Sequence, residues 1–193
     1  MGNVLLNFKP EILLMELIGE KNRVDTFIRK VIHNKTWVNL DRGTLTHDEA
    51  LEIYLCQYPE EKDILFPFFD QWINYLTPIH ENVEILRKLK KNNYKLYLLS
   101  NAIIEAYNIL KDRYDFYSLF DGQVISGFEK VIKPEKAIYN LLVSRYNLIP
   151  EESLFIDDTL GNLRPAKKLG MKIIWLKPDT DLKKELREFQ ILV

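Results

Sequence analysis

The chain has 193 residues, 47% of them hydrophobic and 28% charged, with a net charge of -1. That length suits one core, with or without a small attached subdomain, and the near-balance of charge leaves no electrostatic footprint for nucleic acid or an anionic membrane. A single cysteine, Cys56, excludes an internal disulfide framework and fits a reducing cytoplasm; no apolar run nears the ~20 residues that span a bilayer, and no signal segment is visible.

In chain order, residues 10 to 75 are predicted helical, with apolar residues at helical spacing such as Ile12, Leu13, Met15, Leu17 and Ile18. Gly43 breaks the pattern in "LDRGTLTHDEALEIYL", where Thr46 and Glu49 form a capping box that opens a helix running towards Cys56. Pro67 and Pro78 punctuate the end of this section. From residue 80 the character changes: a helix over about 81–92, a strand at 95–100, a helix near 103–113 and a strand at 123–126. A helix opening at Pro134 follows, then a strand at 154–158, a short helix near 162–169 and a strand at 172–176. Short apolar strands alternating with helices predict a parallel α/β sheet covered on both faces. The expected division is an α/β core of residues 1–10 and 78–193, interrupted by a helical insert at 11–77.

Ligands of such sheets bind at the carboxyl ends of the strands. Three strands lead there into reactive types: Ser100-Asn101, the loop reaching Lys133, and the adjacent carboxylates Asp157 and Asp158. Each has a bland reading by itself, as a turn, a solvated lysine before a proline, or a surface acidic pair. Together they make coherent chemistry. A hydroxyl, backbone N–H groups and an ammonium can hold a phosphoryl group, and a carboxylate can hold Mg²⁺, which prefers oxygen ligands and retained waters. Two adjacent carboxylates also call for a cation, which Mg²⁺ and Lys133 would supply. His33, His47 and His80 are scattered and expected on helix or cap surfaces, while Trp37 and Trp72 are expected in the core.

The chain resembles the haloacid dehalogenase-like hydrolase superfamily. "LYLLSNA" looks like that family's second motif, "VIKPEKAIY" like its third and "LFIDDTLGNLRPAKKLGMKIIWL" like its fourth. The resemblance implies a Rossmann-like parallel sheet with a small α-helical cap, the insert being that cap and "LDRGTLTHDEAL" typical of it. It also implies a Mg²⁺-dependent phosphatase of a small phosphorylated metabolite, with Ser100 and Lys133 as catalytic residues. Ser100, Asn101 and Lys133 would bind phosphate. Asp158 would bind the metal with the Gly2 carbonyl, and Asp157 and Asn162 would support it.

The family's nucleophile is an aspartate ending the first strand, and nothing in this sequence matches it. In one alignment "NVLLNF" is that strand, with Asn7 in the nucleophile's place. In the other, preferred because Gly2, Asn3 and Val4 match consecutively, "MGNVLLNF" is the loop that follows the nucleophile. Gly2 would then stand where many such phosphatases keep a second aspartate as general acid. Losing a central strand of about five apolar side chains, at roughly 1.5–3 kcal/mol each, would forfeit on the order of 10 kcal/mol. One expectation is therefore a misassigned start, with an apolar run ending Phe-Asp upstream of Met1. Another is that residues 2–8 slide between the strands ending at Ser100 and Asp158, bringing Asn7 to the nucleophile position. A non-catalytic phosphate-binding protein and a 2-haloacid dehalogenase are the competing functions; the Asp157-Asp158 pair argues against the metal-free dehalogenase.

Overall fold

A computed structural model describes residues 1–193. After β1 (Leu6–Asn7) comes a run of helices. α1 (Pro10–Ile18) opens on a proline, where no intrahelical N–H is required, and closes at Gly19 with φ 74°. α2 (Lys21–Phe27) passes into a π turn at 28–32. The Asn34 side chain caps α3 (Lys35–Arg42), accepting from Thr36 N at 2.7 Å. α4 (His47–Gln57) carries the expected capping box: Glu49 N donates to Thr46 Oγ1, and Thr46 N donates to the Glu49 carboxylate at 2.8 Å. With α5 (Lys62–Gln71) these helices bury an aromatic cluster that includes Phe27, Trp37, Tyr54, Phe68, Phe69 and Trp72. Tyr54 satisfies its hydroxyl by donating to Val31 O at 2.6 Å.

After β2 (Thr77–Pro78) and α6 (His80–Lys91), strands and helices alternate. They are β3 (Tyr97–Ser100), α7 (Ile104–Arg113), β4 (Gly122–Ile125), α8 (Ser126–Glu129), α9 (Lys136–Tyr146), β5 (Leu154–Asp157), α10 (Leu160–Lys168), β6 (Lys172–Trp175) and α11 (Leu182–Glu188). The four predicted parallel strands are all present. They form two separate parallel ladders, β3 with β4 and β5 with β6, instead of the single sheet expected. β3 and β5 each keep one edge without a strand partner. The consequence is visible in β5, whose Leu154, Phe155 and Ile156 are only half-buried where the sequence predicts full burial.

Residues 2–8 do not slide into that gap. Val4, Leu5 and Leu6 all direct their N–H groups at Met1 O, at 3.2, 2.9 and 3.2 Å, which closes a tight loop. β1 then pairs antiparallel with β2, and Asn82 Nδ2 donates to Val4 O at 2.7 Å. The backbone groups that a slipped strand would offer β3 and β5 are thus already used. Leu5 and Leu6 are buried where they are, so a slip would gain little apolar burial. Asn7 is correspondingly far from the expected nucleophile position, with its Nδ2 donating to Thr77 O and Thr77 Oγ1. A second correction concerns Pro134, which does not open α9. Its peptide bond to Lys133 is cis, and Asn101 holds Lys133 by accepting from its N at 2.8 Å and donating to its O at 3.0 Å, so the helix starts at Lys136.

The end of α3 docks on the α/β half. Gly43, with φ 73°, terminates the helix, and a Cβ there would stand 2.1 Å from Gly127 O. Around it Arg42 pairs with Glu135 at 2.5 Å, Ser126 Oγ donates to Asp41 O at 2.5 Å, and Lys130 Nζ donates to Gly43 O. Gly43→Ala combines a left-handed backbone with overpacking, so a loss of about 2–5 kcal/mol is expected in urea unfolding. A loss below about 0.5 kcal/mol would mean that α3 is not docked as described. No helix is long and apolar enough to cross a membrane.

Candidate active site

The carboxyl ends of β3 and β5 open into a cavity of about 260 Å³ between the α/β half and the helices. Ser100, Asn101, Lys133, Asp158 and Asn162 line it, and so do Met1, Gly2 and Asn3 from the N-terminal loop. Of the phosphate and metal candidates read from the sequence, all line this cavity except Asp157, which lies just behind the wall; Asn7 is not among the lining residues. The loop position of residues 1–3 agrees with the alignment in which "MGNVLLNF" follows the nucleophile.

Lys133 organises the site. Its buried ammonium donates to Leu99 O at 3.0 Å and to Asp157 Oδ2 at 2.7 Å, tying β3 to β5 across the gap. One of its three protons is left for a ligand. Burial pushes the Asp157 carboxyl up, but the Lys133 ammonium outweighs it and holds the group below the ordinary carboxylate range. Asp157 Oδ1 accepts from Thr159 N at 2.9 Å and Asn162 Nδ2 at 2.8 Å. Both Asp157 oxygens are thus engaged, whereas Asn162 braces Asp157 through Nδ2 and keeps its Oδ1 free of hydrogen bonds at the cavity.

Asp158 differs. Its Oδ2 accepts from Asn3 Nδ2 at 3.1 Å, and the residue is only half-buried, so lone pairs remain for an ion. The Gly2 carbonyl is not taken up by the turn bonds of its loop, which go to Met1 O and Leu6 O. These are hard oxygen donors and they fit Mg²⁺. No three His, Cys, Asp or Glu side chains cluster anywhere, so an ion here would be held by one free carboxylate, carbonyls and retained waters. Ser100 is fully buried apart from its face on the cavity, with Oγ donating to Asn101 O at 3.2 Å. The Asn101 amide is spent on the Lys133 backbone, so it shapes the cavity through Lys133. The Met1 amine lies beside Lys133, Asp157 and Asp158, and burial pushes it down to about 5, leaving it neutral at pH 7.

Two residues of the site escape sequence reasoning. Asn3 adopts a left-handed backbone (φ 53°) and joins the N-terminal loop to Asp158. Asp41, on α3, reaches the cavity with a carboxyl that makes no hydrogen bond or ion pair. The residue is half-buried, and burial pushes its carboxyl up to about 7 against the opposing pull of Lys133. The available signal was its spacing, four residues after Trp37 and so on the same core-facing stripe of the helix. Phe8, Trp37, Leu76, Ile103, Tyr107 and Leu110 complete an apolar wall. Trp37 and Trp72 are core residues as expected, and both also border the cavity.

A family model described as haloacid dehalogenase-like hydrolase matches residues 19–170. A sesquiterpene phosphatase from Aspergillus oryzae is 24% identical over 188 residues, covering 97% of this chain and 92% of that protein. A drimenol cyclase from Aspergillus calidoustus is 25% identical over 160 residues, 81% of this chain, which spans only 30% of the cyclase's length. Among solved structures, a haloacid dehalogenase family enzyme from Bacteroides thetaiotaomicron, in complex with magnesium and inorganic phosphate, superimposes with a TM-score of 0.74. That match is 22% identical, covers 97% of this chain and 96% of the other, and establishes a common fold.

Proposed function

Because the chain belongs to the haloacid dehalogenase-like hydrolases and is phosphatase-like among them, we propose that its cavity is the phosphate and Mg²⁺ site of a phosphatase acting on a small phosphomonoester. The observation that carries this reading is Lys133, held at 2.7 Å from Asp157 in a cavity shared by Ser100 and Asp158. Ser100 Oγ and the spare Lys133 proton would bind phosphoryl oxygens, and Asp157 and Asn162 would keep Lys133 aimed. Asp158, with the Gly2 carbonyl, would hold Mg²⁺; when bound, that ion supplies positive charge to the phosphoryl oxygens. Residues 11–77 would act as a cap over the core of 1–10 and 78–193. Exposed, unpaired Cys56 is in keeping with a reducing cytoplasm.

Asp158→Asn tests the metal assignment. In the parent chain, Mg²⁺ at ten times its Kd should stabilise by about 1.4 kcal/mol, raising Tm by roughly 3–6 °C. Asp158→Asn should abolish that rise, whereas a rise undiminished in the variant would remove Asp158 from the metal site.

A further inference from the structure

The phosphate end of the cavity is polar, but its other end is not. Beyond Ser100 and Lys133 the wall consists of Phe8, Trp37, Leu76, Ile103, Tyr107 and Leu110. Two unpaired polar groups interrupt that stretch, the Trp72 indole N–H and the Asp41 carboxyl, and neither has a hydrogen-bond partner within the protein. The backbone at Asp41 is held in place. Its own carbonyl is fastened by Ser126 Oγ at 2.5 Å, and the next residue, Arg42, grips Glu135 with two hydrogen bonds of 2.5 and 2.9 Å. The carboxyl is also close enough to Lys133 to feel its charge, which sets it at the junction between the phosphate end and the apolar wall.

We infer that the cavity selects a phosphomonoester of an apolar alcohol, with the Asp41 carboxyl meeting the alcohol oxygen and the hydrocarbon lying on the Phe8, Trp37 and Leu110 wall. This deepens the phosphatase reading and rests on it for the phosphate end. A polar polyol would carry several hydroxyls into a wall that offers them only Asp41 and the Trp72 N–H, leaving the others unpaired. An apolar alcohol brings a single oxygen, and Asp41, beside Lys133 and without a partner of its own, is positioned to meet it. In the ester that oxygen has no proton and can only accept, so it pairs with the carboxyl in its protonated form; the hydroxyl of the free alcohol can donate or accept and satisfies either form. Specificity would therefore come from the apolar wall, with Asp41 fixing the end from which the chain is read.

Calorimetric titration of the full chain tests this with four probes: octyl phosphate, glycerol phosphate, octanol and inorganic phosphate. Octyl phosphate in the presence of Mg²⁺ should bind about tenfold or more tightly than glycerol phosphate. Octanol alone should bind without Mg²⁺, and Asp41→Leu should weaken it about fivefold or more, because the hydroxyl is then left unpaired. Equal affinity for octyl and glycerol phosphates in the parent chain would overturn the proposal, and so would octanol binding that Asp41→Leu leaves unchanged. The two phosphate ester probes need no variant, so a folding defect in Asp41→Leu does not shelter the idea. If inorganic phosphate fails to bind while octanol binds and responds to Asp41, the phosphatase reading falls and the apolar alcohol site stands.

Discussion

An aspartate placed immediately ahead of Met1, at the end of an added apolar strand of about five residues, should give the chain Mg²⁺-dependent phosphatase activity. The reasoning is geometric. β3 and β5 each present an edge without a strand partner, and both point their carboxyl ends at Ser100 and Asp158. The Met1 amine already lies beside Lys133, Asp157 and Asp158, so a residue joined to it would carry its side chain into the phosphate end of the cavity. Covalent catalysis needs a nucleophile, and the added carboxylate would supply one beside Ser100 and Lys133. Turnover of a generic aryl phosphate should rise by roughly 10⁴-fold or more over the same extension ending in Asn. Both extensions should stabilise the fold alike, since each fills the gap and covers half-buried Leu154, Phe155 and Ile156. Equal activity of the Asp and Asn versions would sink the prediction, as would substantial turnover by the unextended chain.

Replacing Lys133 by methionine should cost about 3–5 kcal/mol, because it strands the Asp157 carboxylate in a buried place without its cation. The loss is not a measure of what the pair contributes, since two buried charges are expensive to desolvate in the first place. A double substitution, Lys133→Met with Asp157→Leu, should therefore recover much of the stability. It should not recover phosphate binding, which needs the spare ammonium proton. Urea unfolding of the two single variants and the double variant gives the coupling directly. A cost for Lys133→Met below about 1 kcal/mol, or no recovery in the double variant, would mean that the two groups are solvated and not a buried pair.

The elements that sequence reading locates well are those with local causes. The α4 capping box depends only on Thr46 and Glu49, and the parallel strands on short apolar runs bounded by turns. Site residues at strand ends were legible for the same reason: chemistry in such sheets collects at one edge, and Ser100, Lys133 and Asp158 do meet there. What was not legible is how residues 2–8 choose between two sets of partners. Hydrogen-bond need at β3 and β5 argued for a slipped strand. The loop instead satisfies itself through Met1 O, and Leu6 and Asn7 find β2, some seventy residues away in sequence. Asp41 was missed because its role depends on α3 docking at Gly43, a contact between residues more than eighty positions apart.

Calorimetric titration of the chain with inorganic phosphate, with and without Mg²⁺, addresses the phosphate and metal site most directly. The expected result is binding of one phosphate per chain that requires Mg²⁺ and is lost in both Ser100→Ala and Asp158→Asn. Phosphate binding indifferent to Mg²⁺ and to both substitutions, or no binding at millimolar phosphate with Mg²⁺ present, would contradict it.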